Sequence, residues 1–182
     1  MKSQLPNFKY HPDPVKTGHV ISCSDTCICC GQARGFIYSG PIYAIGNIEV
    51  SLCPWCIADG TAYKRLGFEF TDGASIGGSG DWETVSADIL EEVTCRTPGF
   101  CGWQQERWFT HCNDAAAFLG VIGWKDLVAL GEAAILQFAD ATGLTQQVWR
   151  KHLPYLDKDG SPTGYLFQCL HCGIYGGYTD VD

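Results

Sequence analysis

Eleven cysteines are the residues of this 182-residue sequence with the clearest capacity for chemistry. Four of them form two Cys-x2-Cys pairs with 22 residues between the pairs. Two ligands separated by two residues can face one ion from a tight turn, and two such turns complete a tetrahedral thiolate set that suits zinc. We therefore predict a zinc site formed by Cys27, Cys30, Cys53 and Cys56.

A third pair, Cys169-Leu-His-Cys172, supplies half of a second site near the end of the chain. The candidates for the other two ligands are, in order of preference, Cys112 and its neighbour His111, and then Cys95, Cys101 and His171. The sequence therefore predicts one zinc ion and allows a second. The alternatives for the third pair are packing cysteines or a redox pair.

Redox chemistry is the main alternative to zinc at the first site as well. Cys53-Pro-Trp-Cys56 ahead of a predicted helix is similar to a thioredoxin-type active site. The upstream pair has no place in that mechanism, and no βαβ pattern precedes it. Cys23 and Cys29 are predicted to pack beside the site. The odd cysteine count and the expected intracellular context also disfavour a disulfide framework.

The elements that position the first site follow from turn residues and periodicity. Segments 36–38 and 48–52 have strand composition, and residues 57–67 have the pattern of a short helix that ends at a glycine. The predicted order is cysteine turn, hairpin, cysteine turn and helix. This order is typical of a treble-clef-like zinc module.

The second half is predicted to be mainly helical. Trp108, Cys112, Ala116 and Leu119 recur at helical spacing, and further helices are predicted at 124–130, 132–141 and 145–153. The third cysteine pair lies between two strand-like segments, which predicts a hairpin. The fold class is therefore α+β. We predict an N-terminal zinc module (1–68), an acidic connector (69–94) and a helical module with a C-terminal Cys-x2-Cys hairpin (95–182), together forming one compact unit.

Almost all of the net charge of −8 lies in the segment 69–92. Outside it, the 12 basic residues face 13 acidic ones, whereas the segment itself contains seven acids and no base. Within it, residues 82–93 have helical periodicity. The segment is either a solvated linker or a docking surface for a basic partner. Its acidic residues are Glu69, Asp72, Asp81, Glu83, Asp88, Glu91 and Glu92.

Composition excludes several classes of protein. With 46% hydrophobic and 18% charged residues, the chain can bury a core. The apolar runs are shorter than a membrane span requires, and the N-terminus lacks the apolar core of a signal peptide, so we expect a cytoplasmic protein without membrane contact. An acidic chain with scattered basic residues is a poor ligand for nucleic acid. The sequence does not indicate an oligomeric state.

Several motifs together resemble the CbrC family along the whole chain. They are Pro-Asn-Phe-Lys-Tyr-His-Pro-Asp-Pro at 6–14, Leu-Cys-Pro-Trp-Cys-Ile-Ala-Asp-Gly at 52–60, the stretch 96–108 with its Thr-Pro-Gly and Trp-Gln-Gln, His111-Cys112, and Gly-Tyr-Leu-Phe-Gln-Cys-Leu-His-Cys-Gly at 164–173. The resemblance implies a bacterial cytoplasmic protein that is linked genetically to tolerance of a nuclease colicin and controlled by a carbon-source-responsive two-component system. It implies no known reaction.

Three hypotheses about function follow. The first is a non-enzymatic zinc-binding protein, associated with colicin tolerance, whose acidic surface binds a basic protein such as a nuclease toxin. The second is a zinc- or thiol-dependent enzyme of unknown substrate, although the His-Glu-x-x-His motif of metallopeptidases and the deaminase signature are absent from the sequence. The third, a nucleic-acid-binding zinc protein, is disfavoured by the acidity of the chain.

Overall fold

The computed structural model describes residues 4–46 and 50–181. It is a mixed helix and strand protein, as the sequence predicts, and the chain divides into two compact units. The first unit comprises Met1–Ser75 and Ser86–Cys101, and the second comprises Ile76–Val85 and Gly102–Asp182.

The predicted acidic connector, 69–94, is divided between the two units. Its two ends belong to the first unit, whereas its middle, Ile76–Val85, belongs to the second. Residues 95–101, which belong to the predicted helical module, lie in the first unit. Each unit therefore contains two separate stretches of chain.

The first unit is built from short elements around a cysteine-rich core. In chain order they are β1 (Val20–Ser22), β2 (Phe36–Tyr38), α1 (Pro54–Ala58), α2 (Thr61–Leu66), a 3₁₀ turn (Gly73–Ser75) and α3 (Ala87–Arg96). The core contains Leu52 and Ile57 together with three of the four predicted cysteine ligands, all of them buried.

The strand pairing in this unit differs from the predicted hairpin. β2 pairs antiparallel with β1 rather than with residues 48–52. Within the described residues, Leu52 forms only an isolated bridge with Tyr38. Residues 48 and 49 of the second predicted strand lie outside the described part of the chain.

The helix predicted at 57–67 is two shorter helices. α1 begins at Pro54, directly after Cys53, and α2 ends at the predicted glycine, Gly67. Gly60, in the left-handed region at φ 73°, separates them.

The helix predicted at 82–93 is also misplaced. α3 begins only after Ser86, whose Oγ accepts a hydrogen bond from the backbone N–H of Ile89 at 3.4 Å. Trp82 lies in the second unit, where its Nε1–H donates to the carbonyl oxygen of Ala141 at 2.9 Å. The helical periodicity of the sequence does not indicate such a tertiary contact.

The second unit combines an antiparallel sheet with helices. Its elements are a 3₁₀ turn (Gly78–Gly80), β3 (Thr110–His111), β4 (Asp114–Ala115), β5 (Ala117–Ile122), α4 (Trp124–Leu130), α5 (Glu132–Ala141), α6 (Gln146–His152), a 3₁₀ turn (Leu153–Tyr155), β6 (Thr163–Gln168) and β7 (Tyr175–Asp180). β3 and β4 form a hairpin, and β5, β6 and β7 form a sheet in that order. The bounds of α4 and α5 confirm the prediction, and so does the C-terminal hairpin.

The helix predicted through Trp108, Cys112 and Ala116 is wrong. This region contains β3, β4 and the start of β5. The described residues here are buried almost without interruption, apart from the 111–113 turn. Continuous burial removes the periodicity that distinguishes a strand from a helix, so apolar residues four apart matched a helix by chance.

Among the described residues, no helix has both the length and the apolar composition to cross a lipid bilayer.

A buried histidine makes the stability of the first unit dependent on pH. His11 is fully buried; its Nδ1–H donates to the carbonyl oxygen of Pro98 at 2.7 Å, and its Nε2 lies 2.7 Å from the Thr17 hydroxyl. Burial, with a smaller effect of nearby His19, lowers the pKa of His11 to about 4, against the opposing effects of the Pro98 hydrogen bond and Asp13.

We expect His11 to destabilise the fold as the pH falls. In the unfolded chain His11 takes up a proton near pH 6.5, whereas in the folded chain it does so only near pH 4. The contribution of neutral His11 to the free energy of unfolding is therefore complete above pH 6.5 and is lost as the pH falls from 6.5 to about 4. Between pH 7 and pH 5, wild type should lose about 2 kcal/mol more unfolding free energy than His11→Gln. Urea titrations at both pH values measure this difference, and equal losses in the two proteins would contradict it.

Candidate metal centres

The first cysteine pair lies in a tight turn held by two backbone hydrogen bonds. The N–H of Gly31 donates to the carbonyl oxygen of Cys27 at 2.8 Å, and the N–H of Cys27 donates to that of Gln32 at 3.0 Å. Gly31 has φ 69°, a left-handed conformation that favours glycine. The turn directs both Cys27 and Cys30 toward one point.

The second pair is positioned by the start of α1. Cys53 is the N-cap residue, Pro54 occupies the first helical position, and Cys56 is the third residue of the helix. Proline fits this position because its ring fixes the helical φ and it has no N–H that needs a partner. The two sulfur atoms are 3.6 Å apart.

The two pairs meet in one cluster of four sulfur atoms. Cys27 Sγ is 3.9 Å from Cys56 Sγ, Cys30 Sγ is 3.8 Å from Cys53 Sγ, and all four lie within 4.8 Å of one another. A tetrahedron with metal–sulfur bonds of about 2.3 Å has sulfur–sulfur edges of about 3.8 Å. Disulfide sulfurs are only about 2.05 Å apart. These four residues can therefore hold a tetrahedral metal ion.

Opposing effects act on the thiols of this cluster. Burial raises the pKa of Cys27, but hydrogen bonds from the backbone N–H groups of Cys53, Cys30 and Cys29 outweigh it and lower the pKa to about 7. Burial raises the pKa of Cys53 to about 11 and also raises that of Cys56. Four adjacent thiolates repel one another, and a cation removes that repulsion.

Cys23 and Cys29, which are close in sequence to the first ligand pair, lie outside the cluster. Cys29 is buried and Cys23 half-buried, and both pack against the same core. Neither belongs to the four-sulfur group.

The third cysteine pair repeats the geometry of the first turn. The N–H of Gly173 donates to the carbonyl oxygen of Cys169 at 3.1 Å, and the N–H of Cys169 donates to that of Ile174 at 2.9 Å. Gly173 has φ 75°. The two Cys-x2-Cys-Gly segments thus form the same turn in different units, here at the tip of the β6–β7 hairpin.

The partner of this turn is the β3–β4 hairpin. His111 pairs with Asp114, and the two loop residues between them, Cys112 and Asn113, both have φ 56°. Positive φ at both central positions is the mark of the tight type I′ hairpin turn. This hairpin turn brings the side chains of the neighbours His111 and Cys112 together.

His111, Cys112, Cys169 and Cys172 form the second cluster. Their ligand atoms lie within 4.8 Å of one another, and His111 Nδ1 is 3.2 Å from Cys112 Sγ and 3.4 Å from Cys172 Sγ. Nitrogen and sulfur ligands of one tetrahedral zinc are about 3.6 Å apart. This set of one imidazole and three thiols can also hold a metal ion.

Exposure distinguishes the two clusters. Cys27, Cys53 and Cys56 are buried in the first, whereas Cys112 and Cys172 are exposed in the second. In the second cluster, burial of Cys169 is outweighed by hydrogen bonds that include the N–H groups of Cys172 and His171, and the pKa falls to about 6.

The remaining candidates for the second site lie elsewhere. Cys95 and Cys101 belong to the first unit, and His171 Nε2 lies 2.8 Å from Asp114 Oδ2. The sequence did not reveal this pair, which joins the β3–β4 hairpin to the cysteine turn beside the cluster. Adjacent turn formers at Asn113-Asp114 were the only signal for the hairpin.

The seven acidic residues are divided between the two units. Asp81 and Glu83 lie in the second unit, and the other five lie in the first. Two are ion-paired with arginines outside the acidic segment, Glu92 with Arg96 and Asp81 with Arg107. Asp88 and Glu91 are exposed on α3 and have no ion pair within the part of the chain that the structure describes.

Comparison with known proteins assigns the chain to a family. The model of the "Uncharacterised protein family (UPF0167)" matches residues 5–181. The chain belongs to the UPF0167 family. The UPF0167 protein Mb2317 of Mycobacterium bovis is 42% identical over 182 residues, covering 97% of this chain and 94% of that protein. The UPF0167 protein PA1536 of Pseudomonas aeruginosa is 42% identical over 175 residues, covering 95% of each.

No solved structure matches this UPF0167 chain. The relatives' names identify the family and carry no substrate, partner or metal. Any statement about function therefore depends on the chemistry of the two clusters and of the surface.

Proposed function

We propose that this UPF0167 protein binds two structural zinc ions, one in each unit. The observation that carries the proposal is that each cluster supplies four protein ligands at tetrahedral spacing. Four thiolates, or three thiolates and one imidazole, are the sets that structural zinc prefers. Iron also takes four thiolates, and it is the competing outcome for the first cluster.

The order of ligands and elements in the first unit supports a treble-clef-like zinc module. One ligand pair lies in a glycine-closed turn, and the other lies at the N-terminus of α1. The eleven cysteines, all of them thiols, support a reducing compartment, which for a bacterial protein is the cytoplasm.

The closed ligand sets favour a binding protein over an enzyme. A catalytic zinc keeps one coordination position for water or substrate. In both clusters four protein groups are available, so none of the positions is left for a reactant. The resemblance to the CbrC family supports a role in tolerance of a nuclease colicin.

The partner that we propose is a basic protein. Charge complementarity selects it, because the chain carries a net charge of −8 and exposes carboxylates such as Asp88 and Glu91, which have no ion pair among the described residues. A nuclease toxin, which must bind phosphate backbones, has a surface of the required sign.

Titration calorimetry with the nuclease domain of a colicin tests this role. At low ionic strength we expect saturable binding without turnover, weakened about tenfold or more at roughly 0.2 M salt as the charges are screened. A basic protein without nuclease activity is the control for nonspecific attraction. The absence of binding at low salt would contradict the proposed partner and leave the zinc proposal to be judged on metal content.

A further inference from the structure

We propose that a cavity beside the second metal cluster binds a guanidinium or ammonium group of the basic partner. The cavity has a volume of 420 Å³ and is formed entirely by the second unit. Its wall includes His111 of the cluster as well as Trp82, Glu83 and Asp140. Ligand pockets in proteins span roughly 300–1,000 Å³.

Two walls of the cavity are held in place by hydrogen bonds. On one side, the segment 76–85 is fixed by the N–H of Gly77, which donates to the Trp108 carbonyl oxygen at 3.0 Å, and by the bond from Trp82 to Ala141. On the other side, the N–H of Tyr175 donates to Gln137 Oε1 at 3.0 Å and fixes the last turns of α5. The cavity is therefore a product of the fold rather than of loose side chains.

The charge of the cavity is negative. Three carboxylates and one guanidinium line it, which leaves a formal charge of −2. The guanidinium, Arg107, is already paired with Asp81 and stacked on the Trp82 ring, 4.6 Å from its centroid. Glu83 and Asp140 have no ion pair among the residues described.

The end of α5 adds to this negative potential. The helix has ten residues and its C-terminus lies at Ala141, in the cavity wall. The C-terminal end of a helix carries a partial negative charge and stabilises a cation placed near it. The cavity thus combines two carboxylates that lack a described ion pair with a helix terminus of the same sign.

An organic cation fits the lining better than a metal ion. A metal ion needs several ligand atoms close together. Among the described residues, the carboxylates of this cavity do not belong to any group of three ligands within 4.8 Å of one another. The aromatic rings of Trp82, Phe109 and Tyr175 instead line the cavity. Such rings accept the alkyl stem of lysine or arginine and attract its charged end.

The metal cluster supports the cavity through His111. One ring nitrogen of His111 faces the sulfurs of Cys112 and Cys172, and its ring stacks on Phe109 with the planes 17° apart. Metal binding would fix this ring and with it one part of the cavity wall. We therefore expect removal of the second metal to weaken cation binding.

Because the occupant belongs to a basic partner, this inference rests on the proposed function. The metal-loaded full chain is titrated at low ionic strength with a short oligo-arginine peptide and with agmatine. The test variant is Glu83→Gln combined with Asp140→Asn. The glutamine side chain would retain an oxygen for the Asn113 N–H, which now donates to Glu83 Oε2 at 2.6 Å. The matched control, Asp88→Asn combined with Glu91→Gln, removes two charges from α3.

We expect the cavity variant to weaken peptide binding about tenfold and the α3 variant to weaken it less than about threefold. Agmatine should shift the indole N–H resonance of Trp82 in wild type. Asp140→Asn alone, which leaves the hydrogen bond between Glu83 and Asn113 untouched, provides a second variant if the double variant fails to fold.

Four outcomes would overturn the inference. Equal losses in both double variants, or a Trp82 resonance that agmatine leaves unchanged, would reject the cavity while leaving a basic partner in place. Agmatine binding as tightly as the peptide would point to a free amine ligand instead of a protein side chain. No binding of either probe would reject the basic partner together with the cavity.

Discussion

Replacing Cys53 by serine is expected to abolish metal binding in the first unit and to unfold it. Cys53 is fully buried, and its sulfur is 3.6 Å from Cys56 Sγ and 3.8 Å from Cys30 Sγ. A serine hydroxyl does not replace a thiolate as a zinc ligand. Structural zinc contributes about 10 kcal/mol or more of apparent binding free energy, which is comparable to the stability of a whole domain.

The same result is expected for serine at Cys27, Cys30 or Cys56. Metal content and the NMR spectrum of the first unit measure the effect. Cys23→Ser is the matched control, because Cys23 packs against the same core but lies outside the ligand set. This substitution should lower the free energy of unfolding by only about 1 kcal/mol. A Cys53→Ser protein with unchanged melting temperature and unchanged metal content would contradict the first site.

The second large effect is expected from Cys172→Ser. One of two metal ions should be lost, and the β3–β4 hairpin should separate from the turn at 169–173 while the first unit stays folded. The second unit retains a core of its own, with Trp108, Phe138 and Phe167 buried. Cys172→Ser should therefore lower the free energy of unfolding of the second unit by about 2–5 kcal/mol, as the removal of a single cross-link does, and should not unfold the unit completely.

The second site can be measured separately from the first because its cysteines are more exposed to solvent. A thiol reagent should modify Cys112 and Cys172 before the cysteines of the first cluster and release one metal ion, because Cys112 and Cys172 are exposed while the first cluster is largely buried. Cys101→Ser is the control, since Cys101 is exposed but belongs to neither cluster. Release of both ions at one rate, or retention of both by Cys172→Ser, would contradict two independent sites.

The cysteine turns were predictable because local spacing determines them. A Cys-x2-Cys-Gly sequence closes the same turn at 27–31 and at 169–173 in different surroundings. Glycine punctuation similarly located α4 and α5, which Gly131 separates. In these segments, a few adjacent residues determine the backbone conformation.

The β3–β4 hairpin and the path of residues 76–85 were not predictable in this way. Phe109 packs against Trp82 and Phe167, which are distant from it in sequence, and Trp82 is held by a hydrogen bond to Ala141, 59 residues away. Such contacts override local helical propensity. A charge count along the acidic segment likewise does not include Arg107, which lies 26 residues after Asp81 in the sequence and forms an ion pair with it.

Native mass spectrometry of the purified chain, without added reductant, tests the central claim most directly. We predict a single folded species with two zinc ions and eleven unmodified cysteines. A folded protein without metal, or masses reduced by disulfides within either cluster, would contradict the account.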